Sequence, residues 1–330
     1  MKILYYDHFR EDNSNFFWKE AFSKYGEVQT VHMPTTDASL NSSAAALEAA
    51  IYAFKPTHLH MGGSVKRLQA IPKPALKWLK KHGAKITWFY GDAYNNSVAQ
   101  SEMLDVVDRL YITNSSHLNH PKVTPVLCPY NPKLYYPFNG KKEHDIIFIG
   151  NPHTPERAKY MEELSKKFPI HIYGSGKWRS FKVSYKGALA HRDFSNIIGK
   201  YKIALGEPAR APCQFIGPKG GCLKNMPCFK GALCRVSECK EYKGLKMYYS
   251  NRLANVMGTG VCHFINYSDG IENILQHEKN IVWYKSDDER DELLKRYLEN
   301  DIQREAVAQE GLNLIQNYTF ERITGRILND

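Results

Sequence analysis

Short apolar runs that stop at glycine or at a polar residue, each followed by a segment of helical spacing, recur through both halves of this chain. That alternation restricts the fold more than any other feature. In the first half the runs are Ile3–Tyr6, Val28–His32, Thr57–Met61, Lys85–Phe89, Leu110–Thr113 and Val126–Cys128. Helices are expected over Asn15–Tyr25, Ala44–Phe54, Ala75–His82 and Ser97–Arg109. Strands that alternate with helices predict an α/β fold, an open parallel sheet covered on both faces.

The second half restarts the pattern in its clearest form between Asp145 and Gly176. A buried strand, Ile146–Ile149, turns at Gly150-Asn151-Pro152 into a helix opened by Thr154-Pro155-Glu156. A second strand, Ile170–Tyr173, closes on Gly174-Ser175-Gly176. Thr154 suits an N-cap and Pro155 the first helical position, where its missing N–H costs nothing. A strand, a glycine turn and a capped helix aim unpaired N–H groups at one point, which favours an anion. Arg157 in the first turn opposes the helix dipole, an arrangement better explained if a phosphate comes between. Further on, helices are expected at His191–Tyr201, Tyr248–Met257, Ile271–Gln276, Asp287–Asn300, Ile302–Gln316 and Phe320–Leu328, with strands at Ile203–Leu205, Val261–Ile265 and Ile281–Tyr284.

In parallel sheets ligands gather at the carboxyl ends of the strands. The first half delivers Asp7-His8, Gly62-Gly63 and Tyr90-Gly91-Asp92 there. Asp92 follows an apolar and aromatic run, where partial burial suits a carboxylate to general-base work; the alternative is a turn or helix cap. His8 is a second candidate base.

The segment Pro129–Lys142 carries three prolines and Gly140 and reads as a linker. It divides the chain into residues 1–140, 141–315 and a C-terminal helix, 316–330, that packs back on the first domain. No apolar run approaches the roughly 18 to 20 residues of a membrane helix, and the N-terminus enters a strand without a signal peptide. A cytoplasmic protein is expected, in the host cytoplasm if the source is viral. Net charge is +11, from 45 basic and 34 acidic residues, which favours a polyanionic partner.

Five of the seven cysteines, Cys213, Cys222, Cys228, Cys234 and Cys239, fall in one segment, with eight, five, five and four residues between them. The paired spacing of a zinc ribbon is absent. Four thiolates can nonetheless hold one zinc ion and order a loop too small for a core; an iron–sulfur cluster and unligated thiols are the alternatives. From Cys213 to Lys246 the segment also has six lysines and one arginine against two glutamates, with Phe215, Phe229 and Tyr242 interleaved. Phosphate contacts along such a loop would position a nucleic acid. Cys128 and Cys262 lie in apolar runs and read as core residues.

The chain resembles the glycosyltransferase family that includes the bacterial spore-maturation glycosyltransferase-like proteins. The likeness rests on Phe148-Ile149-Gly150 with Arg157 following, on Ile172–Gly176, and on Asn251-Arg252 leading through a helix to Gly258-Thr259-Gly260. It rests also on Ile281–Tyr284 before an acidic helix start, on the ending Gly311 through Tyr318–Arg322, and less sharply on Trp88–Asp92 and Asn131–Pro137. The resemblance implies a GT-B fold, two Rossmann-like domains facing across a cleft, here with the Cys-rich segment Glu207–Lys246 inserted in the second. It implies a nucleoside-diphosphate sugar, with UDP the expected nucleotide, bound by the second domain. Gly150, Asn151, Arg157, Gly174 and Gly176 would lie near the diphosphate or nucleoside and Arg252 near the phosphates. Asn255 stands where the family usually has a glutamate suited to the ribose hydroxyls; an amide still hydrogen-bonds a diol but carries no charge.

The expected function is transfer of a sugar to an acceptor hydroxyl. Bacteriophage enzymes of this fold decorate hydroxymethylated pyrimidines in DNA, and the basic charge and the cysteine segment favour such an acceptor. A base in duplex DNA would have to be flipped out before its hydroxymethyl group is deprotonated. A cell-surface glycan, lipid-linked sugar or protein acceptor is the first alternative. A non-catalytic binding protein of the same fold is the second, supported by Asn255.

Overall fold

The computed structural model describes residues 1–7, 14–33, 40–63, 73–91, 103–113, 120–152, 155–206, 250–267 and 270–330. Contacts divide the chain into two compact units, Met1–Asn131 with Tyr248–Ala254 and Gln316–Asp330, and Pro132–Met247 with Asn255–Ile315.

The first unit is built on a six-stranded parallel sheet of β1 (Lys2–Asp7), β2 (Glu27–His32), β3 (His58–Gly62), β4 (Lys85–Tyr90), β5 (Arg109–Ile112) and β6 (Val123–Pro125), in the order β2-β1-β3-β4-β5-β6. Its helices are α1 (Ser14–Phe22), α2 (Leu40–Phe54), α3 (Lys73–Lys81) and the short α4 (Met103–Val106). Successive strand residues point to opposite faces, and both faces are apolar because both are covered. Leu4, Tyr6, Leu59, Met61, Ile86 and Trp88 pack with Leu47, Ile51, Leu76 and Leu79 of α2 and α3. Ile3, Tyr5, Phe89 and Tyr111 pack with Trp18 and Phe22 of α1 and with the C-terminal helix.

The second unit repeats the scheme with β7 (His144–Ile149), α5 (Pro155–Lys167), β8 (Ile170–Tyr173), β9 (Ser184–Gly187), α6 (Phe194–Ile198), β10 (Tyr201–Gly206), β11 (Cys262–Asn266), β12 (Val282–Tyr284), α8 (Asp287–Glu299) and α9 (Asp301–Ile315). All pairings are parallel, in the order β12-β11-β10-β7-β8-β9. Helix α7 (Asn251–Gly258) straddles the boundary between the units at Ala254 and Asn255. Ile146, Phe148, Ile170, Ile172, Ile203, Leu205 and Phe264 form a core with Trp178, Met161, Leu294 and Tyr297.

Helix α10 (Phe320–Asn329) returns to the first unit. Thr319 caps it by accepting from Arg322 N, and Phe320, Ile323, Ile327 and Leu328 are buried against α1 and the sheet. Such side chains contribute roughly 1.5–3 kcal/mol each. Tyr111 also donates to Asp330 at 2.9 Å, and Lys24 pairs with Glu321.

Several elements differ from the sequence reading. The last strand of the first unit is Val123–Pro125, not Val126–Cys128. Val126 still donates to Ile112 O, but the run is apolar because it enters the core beneath α10 rather than because it pairs. Strand β9 was not expected: Ser184-Tyr185-Lys186-Gly187 lies at the sheet edge and has only four residues with Tyr185 its one apolar side chain, too little for hydrophobic periodicity to mark it. The helix expected over His191–Tyr201 is a 3-10 turn, His191–Asp193, followed by α6, and Tyr201 already begins β10. Of the helix expected at Ile271–Gln276 only a 3-10 turn, Ile271–Asn273, forms. Among the described residues no helix is long and apolar enough to cross a membrane.

Candidate functional site

In the second sheet the strand order reverses between β7 and β10, so the crevice favoured for a ligand lies outside the carboxyl end of β7. Gly150 and Asn151 follow directly. Gly150 donates to Tyr173 O at 2.9 Å and accepts from Trp178 Nε1 at 2.7 Å. The end of β8 lies against it: a Cβ added to Gly174 would stand 2.0 Å from the Gly150 carbonyl oxygen. Only glycine permits this seam. Gly174 N donates to Gly187 O at 2.9 Å and its carbonyl accepts from Tyr185 Oη at 3.0 Å. Asn151 ties the two turns together, its side-chain oxygen accepting from Ser175 N at 2.8 Å. Among the described residues nothing lies within 4 Å of a Cβ built on Gly176.

Arg157, in the first turn of α5, is 9% exposed and donates from Nη1 to Asn151 O at 3.2 Å. The guanidinium is therefore held at the strand end by the turn itself. Thr154, the expected cap, lies outside the described residues. The structure thus brings Gly150, Asn151, Arg157 and Gly174 together, with Gly176 on the same turn.

Arg252 and Asn255 stand three residues apart on α7, hence on one face. Asn255 is 8% exposed, and Arg252 is half-buried. Arg252 groups with the first unit and Asn255 with the second. His8, Asp92 and the cysteines 213, 222, 228, 234 and 239 lie outside the described residues. Among the described residues no group of three or more His, Cys, Asp or Glu could hold a metal ion. Cys128 and Cys262 are buried.

The sequence reading missed three features of this region. Trp178 carries no motif signal, yet its indole N–H locks the Gly150 carbonyl. His263 is buried in β11, and a Cβ on Gly206, at the end of β10, would stand 2.5 Å from its Nε2. Asn266 ends β11 with a buried side-chain oxygen that has no hydrogen-bond partner among the described residues. The signal was a polar residue at each of two positions in an otherwise apolar strand.

A family model described as glycosyl transferase-like matches residues 157–329, more than half of the chain. The chain belongs to the glycosyl transferase-like family. No curated protein matches it by sequence. Among solved structures, HepE of Anabaena in complex with UDP is similar at 9% identity and TM-score 0.65, covering 100% of this chain and 99% of that one. Sucrose-phosphate synthase of Thermosynechococcus elongatus is similar at 10% identity and TM-score 0.65, covering 100% and 98%. A DNA-modifying β-glucosyltransferase, solved with and without uridine diphosphoglucose, is similar at 11% identity and TM-score 0.55, covering 100% of both chains. At these identities the likeness is one of fold: this glycosyl transferase-like protein has the two Rossmann-like units of the GT-B architecture.

Proposed function

We propose that the chain transfers a sugar from a UDP-sugar to a hydroxymethylated pyrimidine in DNA. The observation that carries the donor half is the glycine-only seam at the switch point of the second sheet, with Arg157 fixed beside it. The departing group of such a reaction is a diphosphate. Arginines and oriented backbone N–H groups stabilise its developing charge without reorganising during the step. Arg157 and Arg252 take the phosphates and Asn255 hydrogen-bonds the ribose. UDP is favoured over other nucleotides because similar folds were solved with UDP and with UDP-glucose.

The acceptor half rests on charge. Helix α3 buries Ala75, Leu76 and Leu79 and carries Lys73, Lys77, Lys80 and Lys81 with no acidic residue. Lys80 pairs with Asp108 at 2.9 Å, whereas Lys77 and Lys81 are exposed. Beside them Tyr52, 40% exposed, packs edge-on to Trp78, and the His82 ring lies against the same indole with centroids 3.9 Å apart. A stiff basic face of this kind suits a phosphate backbone.

Salt dependence tests the acceptor. Each lost phosphate contact lowers the slope of log K against log salt by about 0.9. Replacing Lys77 and Lys81 with alanine is expected to flatten the slope for a hydroxymethylcytosine duplex by nearly 2 and to leave UDP affinity unchanged. Binding that ignores salt in the wild type would direct the acceptor to a neutral glycan instead.

A further inference from the structure

We propose that the clustered rings of Tyr52, Trp78 and His82 form a stacking platform for the unpaired bases of a single-stranded nucleic acid. The platform belongs to the first unit alone and does not depend on the transferase reading above.

From Ala49 to Gly91 the chain has seven lysines, one arginine and no aspartate or glutamate. Helices α2 and α3 each lead back from the carboxyl end of one strand to the amino end of another. Their last turns therefore meet at the starts of β3 and β4, the end of the sheet opposite its ligand crevice. Lys55 follows α2 with φ 48°, a left-handed position where glycine or asparagine is usual, and its side chain is exposed. Burial first, and then the charges of Lys85 and the N-terminus, lower the pKa of His58 at this edge. Asp108 is already committed, accepting from Ile86 N at 2.7 Å and pairing with Lys80. Lys55, Lys77 and Lys81 have no ion pair among the described residues.

The rings lie beside these charges. Trp78 and His82 are four residues apart, as are Lys77 and Lys81, so rings and ammonium groups form adjoining rows at the end of α3. The His82 ring lies against the indole with a 31° tilt, and its Nδ1 is 2.7 Å from Trp78 O. A carbonyl only accepts, so Nδ1 carries the hydrogen and Nε2 of the neutral ring is the acceptor. Tyr52 meets the same indole at 5.2 Å between centroids and 76°. Tyr52 and His82 are both exposed. An exposed ring already fixed by a stack and a hydrogen bond loses little freedom when a base settles on it. Aromatic faces for bases beside a basic track for phosphates are what single-strand binding requires. In a duplex the bases are already stacked and paired, so the lysines act there alone. A membrane surface would instead favour exposed aliphatic side chains, and α3 buries Ala75, Leu76 and Leu79.

The test is fluorescence anisotropy of the full chain with labelled probes of equal length: oligothymidine, the same strand with abasic sites, and a duplex. Wild type is expected to bind oligothymidine at least about fivefold more tightly than the abasic strand. His82→Ala is expected to loosen oligothymidine by about 5- to 100-fold, the usual worth of one stacked base, and to leave the abasic strand within about twofold. His82→Phe restores a flat ring and is expected to recover most of that loss. Lys77→Ala with Lys81→Ala is expected to weaken all three probes. If His82→Ala does not fold, Tyr52→Ala carries the same comparison between strands with and without bases. Equal affinity of the wild type for those two strands, equal losses on both in His82→Ala, or a preference for the duplex would overturn the proposal. Binding to none of the probes, or only to vesicles of anionic lipid, would overturn it as well.

Discussion

Gly174→Val is expected to abolish UDP binding while the first unit stays folded. The first carbon of any side chain at this position falls 2.0 Å from the Gly150 carbonyl oxygen and 3.1 Å from Trp178 Nε1. Neither neighbour is the end of a flexible chain. Relief requires the ends of β7 and β8 to separate, which breaks the bonds of Trp178 to Gly150 and of Ser175 to Asn151. Overpacking costs about 1–3 kcal/mol and each lost hydrogen bond about 1 kcal/mol. A total of about 3 kcal/mol corresponds to at least a hundredfold in affinity if the seam forms the phosphate cradle. Titration calorimetry with UDP reads this directly. Wild-type affinity in Gly174→Val would show that the nucleotide binds elsewhere. Gly176→Ala is the control for stability: an added carbon there meets nothing within 4 Å among the described residues, so the melting temperature should not move.

The first unit should lose stability steeply in mild acid, through His60. This residue is 1% exposed on β3, with Nδ1 2.8 Å from Thr87 Oγ1. Tyr5, Trp18 and Phe22 surround the ring, and Nε2 has no hydrogen-bond partner among the described residues. Burial lowers its pKa from 6.5 to about 3. The unfolded chain therefore binds a proton that the folded chain refuses between these values. Stability is complete above the unfolded pKa and is lost as pH falls towards 3, by about 1.4 kcal/mol per unit. At about pH 4.5 the loss is about 2.7 kcal/mol. His60→Gln, which cannot titrate, is expected to flatten the dependence of unfolding free energy on pH in that window, followed by Trp18 fluorescence. Equal slopes in the two proteins would refute the assignment.

Much of the architecture was legible in the sequence, and the reason is physical. Strands covered on both faces are mostly apolar, so Ile3–Tyr6, Ile146–Ile149 and Val261–Ile265 announce themselves without regard to tertiary context. The elements that escaped are those whose stability comes from neighbours. Strand β9 is held at an edge by β8, and its four residues include no run of apolar side chains. Val126–Cys128 mimics a strand because burial beneath α10 selects the same residues that pairing would.

The candidate site was legible in part. Gly150, Arg157 and Gly174 stood out as residue types that a phosphate turn needs. What no sequence pattern could give was the reason Gly174 must be glycine, which is the approach of a second backbone 24 residues away. Asp7 stood at a strand end in Tyr-Tyr-Asp-His, with no sign of what surrounds it. Its contacts with Gly62 on a neighbouring strand and with the Tyr5 hydroxyl exist only once the sheet has formed.

The measurement that tests the central claim most directly is mass spectrometry of nucleosides released from hydroxymethylcytosine- and hydroxymethyluracil-containing DNA after incubation with the protein and UDP-sugars. A mass gain of one sugar on the hydroxymethylated nucleoside is the predicted result. Unmodified nucleosides, with the UDP-sugars left intact across the panel, would contradict it.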